Sequence, residues 1–141
     1  MPQEDFGLIS VIMAAYNAEK TIEQAVNSVL NQTYPNFELL VVNDHSTDRT
    51  MELIESIAAK DRRVRLISNS KNCGVSCTRR HGLDRAEGLW IAILDSDDLW
   101  APEKLEKQIN LQRKTNADLL FTGSAFIDAD GQPIDWYLHA L

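Results

Sequence analysis

The 141-residue chain lacks what several large functional classes require. It has no excess of positive charge. Its 14 Lys plus Arg stand against 21 Asp plus Glu, a formal charge of -7, so no general electrostatic attraction draws it to nucleic acid or an anionic membrane. It has no apolar run of the roughly 18 residues needed to span a bilayer. The opening Met1-Pro2-Gln3-Glu4-Asp5 has neither the basic region nor the apolar stretch of a signal peptide, so a cytoplasmic place is expected. Glycines are absent where a dinucleotide fold needs them, because the turn after the first apolar run reads Ala14-Ala15-Tyr16-Asn17-Ala18-Glu19. No Gly-Lys-Ser or Gly-Lys-Thr occurs, which removes the P-loop. Tyr16-Asn17 also occupies the position where phosphatases and receiver modules place an aspartate. Cysteine is scarce: Cys73 and Cys77 are the two present, too close in sequence for a disulfide closing a useful loop, and are expected as free thiols. His81 follows at the same spacing and invites a zinc reading, but a structural zinc takes four ligands and no second pair is present.

What is there reads as strands alternating with helices. Leu8 to Ala15 is an almost unbroken apolar run, as in a strand covered on both faces, and Ile22, Ala25, Val26, Val29 and Leu30 mark an amphipathic helix within 19–31. Phe37 to Val42 forms a second strand ending at Asn43-Asp44, followed by a helix to about Ala59 with Ser46, Thr47 and Asp48 as candidate caps. Val64-Arg65-Leu66-Ile67 is a third strand, placed outermost because it carries a charge. A helix over 75–86 ends at Gly88, and Leu89 to Leu94 reads as a central fourth strand. Pro102 opens a helix with Leu105, Ile109 and Leu111 inward. Leu119 to Thr122 starts a fifth strand, and Asp128 to Gly131 is a hairpin turn. This alternation predicts an α/β fold, a doubly wound and mostly parallel sheet of central order 3-2-1-4 in a single domain. Such an order reverses direction between strands one and four, and a ligand crevice opens there beyond the carboxyl ends of the strands.

Tyr16-Asn17, Asp44 and the cluster Asp95-Ser96-Asp97-Asp98 all fall at those ends. Three acids in four positions repel one another unless a cation neutralises them, and carboxylate oxygens suit Mg²⁺ or Mn²⁺. The plain alternative is that these aspartates cap the strand end and the turn towards Pro102.

At this point the motifs carry a resemblance. Ser10-Val11-Ile12-Met13-Ala14-Ala15-Tyr16-Asn17 with Ile22, Val42-Asn43-Asp44-His45-Ser46-Thr47-Asp48, Asn72-Cys73-Gly74-Val75-Ser76 with Arg79, and Leu94-Asp95-Ser96-Asp97-Asp98-Leu99-Trp100 together resemble the family 2 glycosyltransferases of GT-A fold. The resemblance implies binding of a nucleotide diphosphate sugar, a UDP-sugar by preference. The sugar is then transferred to the hydroxyl of a carbohydrate or lipid-linked acceptor with inversion, in polysaccharide or glycoconjugate assembly, with peripheral membrane association as one expectation. It implies a donor site drawn from Ala14, Tyr16, Asn17, Glu19, Asp44, Arg79, Asp95, Ser96 and Asp97. Within it Tyr16 stacks on the base, Asp44 accepts a base N–H, and Asp97 with Asp95 holds the cation. The plain alternatives are that Tyr16 is a packed core ring and Asp44 a helix cap, both of lower weight, and that Arg79 is a solvated helix-face charge, of equal weight.

Ala14, His45 and Arg80 depart from the usual pattern, where proline, a small residue and asparagine are common. Family members continue into an acceptor-binding half that supplies the general base. The expectation is therefore a donor domain over 1–141 whose base lies beyond Leu141, with Asp128, Asp130 and Asp135 not assigned that role. A non-catalytic nucleotide or metal-binding module is the alternative. A sugar-phosphate nucleotidyltransferase lacks support, because its glycine-rich, arginine-bearing first loop is missing.

Overall fold

The computed structural model describes residues 6–134. Four strands, β1 (Ile9–Ala15), β2 (Phe37–Asn43), β3 (Val64–Ser68) and β4 (Trp90–Ile93), form one sheet of order β3-β2-β1-β4, all neighbours parallel. Four helices, α1 (Ile22–Leu30), α2 (Thr50–Ala58), α3 (Val75–Leu83) and α4 (Lys104–Thr115), follow the strands in turn. The expected order is thus observed. Its cause is visible in the register, where Ile9 pairs with Phe37 on one side and Trp90 on the other, so β1 is flanked on both edges. Every residue of β2 is buried and β1 is buried except for half-buried Ala14, which explains their continuous apolar sequences.

The helices seal this core at short range. Ile22, Ala25, Val26 and Val29 of α1 and Ile54 of α2 are fully buried. Gly82 lets α3 lie against the sheet: a Cβ there would stand 2.7 Å from Ile12 Cγ2 and 3.2 Å from Val42 Cγ2. The charge in β3 also finds its reason. Arg65 pairs with buried Glu38 of β2 at 2.6 Å, and the same carboxylate accepts the Ser10 hydroxyl at 2.6 Å and the Glu87 backbone N–H at 2.7 Å. Burial alone would raise the Glu38 pKa, but these donors outweigh it and hold it below the usual range.

Three expectations differ from the structure. β4 is an edge of the four-stranded sheet, not central, and Ile91 and Ile93 are each 44% exposed. No strand forms at 119–122 among the described residues: Leu119 is 69% and Phe121 84% exposed, and without a ladder partner an apolar segment has no reason to stay extended. Leu111 lies on the exposed side of α4, whereas Leu105 and Ile109 are buried.

The chain divides into two compact units, one up to Glu106 and one from Lys107. In the second, Gly131 N–H donates to Asp128 O at 3.0 Å and Ile127 bridges Pro133 in antiparallel fashion, which is the expected hairpin turn. Asp135 and the residues after it lie outside the described residues.

Candidate nucleotide site

All the chemistry singled out in the sequence lies in the first unit, at the carboxyl ends of the strands. The loops after β1 and β2 clasp each other there. Asp44 N–H donates to Ala15 O at 2.8 Å, Asn17 N–H to Ser46 Oγ at 3.0 Å, Thr47 N–H to Asn17 Oδ1 at 2.8 Å and Ala18 N–H to Thr50 Oγ1 at 2.7 Å. Asn17 and His45 both take left-handed backbone angles, φ 47° and 60°, as residues do where a chain turns sharply off a strand. Asn17 thus has two duties, lining the crevice and fastening the neighbouring loop. Tyr16, held between these fixed points, is 52% exposed, which excludes a packed core ring.

Between β1 and β4, where the strand order reverses, a crevice of about 590 Å³ opens. Ala14, Tyr16, Asn17, Asp44, Arg79, Asp95, Ser96 and Asp97 line it, eight of the residues that the motifs single out. Glu19 does not line it. Its backbone N–H donates to Asp48 Oδ2 at 3.1 Å and its carboxylate accepts the Arg49 N–H at 3.1 Å, so the side chain turns to the entrance of α2. Ala15, Ala18, Thr21, Asn72, Gly74, Val75 and Thr78 complete the lining without having been singled out as site residues. Asn72 and Gly74 were legible in principle as part of the third motif. Thr78 was not, since a threonine inside a helix carries no signal of its own.

Asp44 is buried, at 3% exposure, and its carboxylate is occupied from within. Oδ1 accepts Asn69 Nδ2 at 2.8 Å and the Cys73 N–H at 2.9 Å, and Oδ2 accepts the Gly74 N–H at 2.9 Å. Burial pushes its pKa up, but the donors of Asn69, Cys73, Gly74 and Thr78 together bring it below the ordinary value, so it is a carboxylate at neutral pH. It does not cap α2, whose first N–H, that of Thr50, donates to Asp48 Oδ1 at 2.9 Å. It fastens instead the loop that enters α3. Gly74 makes that loop feasible, with φ +84° and nothing within 4 Å of where a Cβ would be. Asn69, buried and central to this arrangement, had no motif to announce it.

The acids after β4 are arranged differently. Asp95 is ion-paired with Arg79, whose Nε is buried without a hydrogen-bond partner among the described residues. Arg79 is therefore no freely solvated helix-face charge. Asp97 and Asp98 are exposed, and burial together with the charges of Asp97 and Asp95 raises the Asp98 pKa. Negative charge at this end of the crevice exceeds its internal compensation, and the donors are hard oxygens, so the set suits Mg²⁺ or Mn²⁺.

The cysteines correct the expectation of free thiols. Cys73 and Cys77 are joined as a disulfide with Cα atoms 5.7 Å apart, because the left-handed Gly74 folds Cys73 back over the first turn of α3. His81, one turn on, places Nε2 3.9 Å from Cys77 Sγ.

The model of the family described as glycosyl transferase family 2 matches residues 10–140. The chain is 39% identical over 133 residues, 94% of its length, to the Bacillus subtilis protein named putative teichuronic acid biosynthesis glycosyltransferase TuaG, of which it covers 53%. It is 43% identical over 114 residues, 81% of its length, to the Escherichia coli UDP-Glc:alpha-D-GlcNAc-diphosphoundecaprenol beta-1,3-glucosyltransferase WfgD, of which it covers 44%. Among solved structures, S. aureus TarS 1-349 in complex with UDP-GlcNAc superposes with TM-score 0.72 and 28% identity, over 83% of this chain and 37% of that one. The chain spans about half the length of the curated relatives it matches.

Proposed function

The chain belongs to glycosyl transferase family 2, and on that premise we propose that it is the donor-binding part of an inverting, metal-dependent glycosyltransferase that uses a UDP-sugar. The observation that carries this reading is the convergence of Tyr16, Asp44, Arg79 and Asp97 on one crevice at the reversal of strand order. The relatives support the substrate class: WfgD is named for UDP-Glc, and TarS is seen with UDP-GlcNAc. The names TuaG and WfgD carry, a teichuronic acid and a diphosphoundecaprenol acceptor, favour an envelope polysaccharide pathway with a carbohydrate or lipid-linked acceptor. No helix among the described residues is long and apolar enough to cross a membrane. Peripheral contact with a lipid-linked acceptor from the cytoplasmic side belongs to the same reading.

Each role follows from the chemistry of the residue. The exposed Tyr16 ring offers a face to a nucleobase, and the Asp44 carboxylate selects a base edge bearing a donor, such as uracil N3–H. Arg79, with its unpaired Nε, supplies positive charge to the diphosphate. Asp97 with Asp95 would hold Mg²⁺ or Mn²⁺, which when bound neutralises charge on the departing diphosphate. In the transfer the acceptor oxygen bonds to the anomeric carbon, the bond from that carbon to the diphosphate oxygen breaks, and the nucleoside diphosphate leaves with the electron pair. The acceptor proton passes to a general base, and none of the acids in this crevice is given that part. The protein's contribution is to align the donor and to place compensating charge where the diphosphate departs.

Calorimetric titration with UDP, with and without Mn²⁺, tests the reading. Mn²⁺ is expected to tighten binding and Asp97→Ala to abolish that gain. Binding that ignores the metal, or no binding at all, refutes it.

A further inference from the structure

The Cys73, Cys77 and His81 cluster takes no part in the donor chemistry above. Its three ligand atoms lie within 4.8 Å of one another and all three residues are half-buried. They line one face, because Cys77 and His81 are a helical turn apart on α3 and Cys73 is folded back over its start. Tetrahedral zinc with Zn–S of about 2.3 Å and Zn–N of about 2.05 Å requires S···S of about 3.8 Å and S···N of about 3.6 Å. The Cys77 to His81 separation of 3.9 Å is already near that value.

A second observation concerns the histidine. His81 Nδ1 lies 2.7 Å from Asn69 Oδ1, an oxygen that can only accept, so Nδ1 is the donor, and in the neutral ring Nε2 is the nitrogen left with its lone pair, on the side of Cys77 Sγ. Orientation of an imidazole by a carbonyl on its far nitrogen is the usual support of a metal-ligating histidine. Asn69 is itself held, its amide donating to Asp44 at 2.8 Å and to Thr78 Oγ1 at 3.1 Å. The ring is thus set before any cation arrives.

We propose that the reduced chain binds one soft divalent cation of the Zn²⁺ class through Cys73 Sγ, Cys77 Sγ and His81 Nε2, with the fourth position open to water, and that the Cys73–Cys77 disulfide is the alternative, metal-excluding state of the same site. A dithiol reductant converts one state to the other. It gives two electrons and two protons to the disulfide, becomes a cyclic disulfide itself and leaves two thiols, which lose their protons to water on binding the cation. The site reaches Asp44 by one hydrogen bond through the Cys73 N–H and by two through His81 and Asn69. It does not depend on the donor reading and stands or falls separately.

The test is titration of the reduced full chain with Co²⁺ and with Zn²⁺ against a chromophoric chelator. One equivalent of Co²⁺ is expected to give a thiolate-to-metal charge-transfer band that Zn²⁺ displaces. Oxidation with diamide is expected to remove the band, and Cys77→Ser and His81→Gln to weaken binding by ~10-fold or more. Oxygen-only binding at Asp95 to Asp98 gives no such band. Absence of the band in the reduced wild-type chain, or its equal strength after oxidation, overturns the proposal however the variants fold.

Discussion

Asp44 and the acids of 95–98 stand at the ends of strands flanking β1, and their situations are opposite. Asp44 is buried and its three backbone and amide donors are in place. Asp97 and Asp98 are exposed, and partial burial together with the like charges of Asp97 and Asp95 raises the Asp98 pKa. One carboxylate is part of the frame that shapes the crevice. The others hold charge that the protein alone leaves uncompensated. In the proposed reading, the contrast is between a part of the site that is rigid, where a base is read, and a part that is incomplete, where a cation is received.

The largest expected effect tests the frame. Asp44→Ala leaves one N–H of the Asn69 amide and the Cys73 and Gly74 N–H groups without their acceptor, and should cost about 3 kcal/mol in urea unfolding, since each unsatisfied buried donor costs roughly 1–3 kcal/mol. A loss below the ~0.5 kcal/mol typical of surface changes would mean that the loop entering α3 does not depend on this acid.

Next is the reverse pattern at Asp97. Asp97→Ala should leave the urea midpoint almost unchanged while weakening Mn²⁺-dependent UDP binding by ~10-fold, about 1.4 kcal/mol. A variant that loses stability as much as binding would erase the distinction between the two regions.

The two acids should also differ in pH dependence. The Asp44 pKa is lowered on folding, so its contribution to stability is present above the unfolded carboxylate value near 3.8 and is lost as pH falls through its folded pKa. The stability difference between wild type and Asp44→Asn should narrow on acidification through that window. Asp98 is shifted upward, so its ionised form penalises the fold above its folded pKa and the penalty is relieved as pH falls through it. Since cation binding favours the ionised form, Mn²⁺ affinity should rise with pH across the same range, and Asp98→Asn should flatten the rise.

The smallest effect concerns the link between the regions. Arg79→Gln breaks an ion pair whose partners are 35% and 48% exposed, so stability should change by less than about 1 kcal/mol. UDP binding should weaken more than that change in stability, whereas uridine, lacking the diphosphate, should bind the variant as it binds the wild type.

Much of the frame was legible from periodicity and motif order. The continuous apolar runs of 8–15 and 37–42 mark strands buried on both faces, and the αβ alternation with right-handed crossovers leaves order 3-2-1-4. Tyr16, Asp44 and Asp97 were readable because they follow strands, whereas Arg79, inside α3, was singled out only through the family resemblance. Glu19 was misplaced because a loop residue's direction depends on its partners, here Asp48 and Arg49. β4 looked central because an apolar run does not say how many neighbours it has. The same ambiguity placed a strand at 119–122.

By itself, then, the sequence determined the strand order through its periodicity, while its four motifs carried the resemblance to the family and, with it, most of the residues that meet at the crevice. Tertiary structure alone decided that Asn69 supports both Asp44 and His81, that Arg79 pairs with Asp95, and that Cys73 folds back onto Cys77. Those contacts join residues whose approach depends on the angle of α3 against the sheet and on one left-handed glycine. No period in the sequence encodes that geometry.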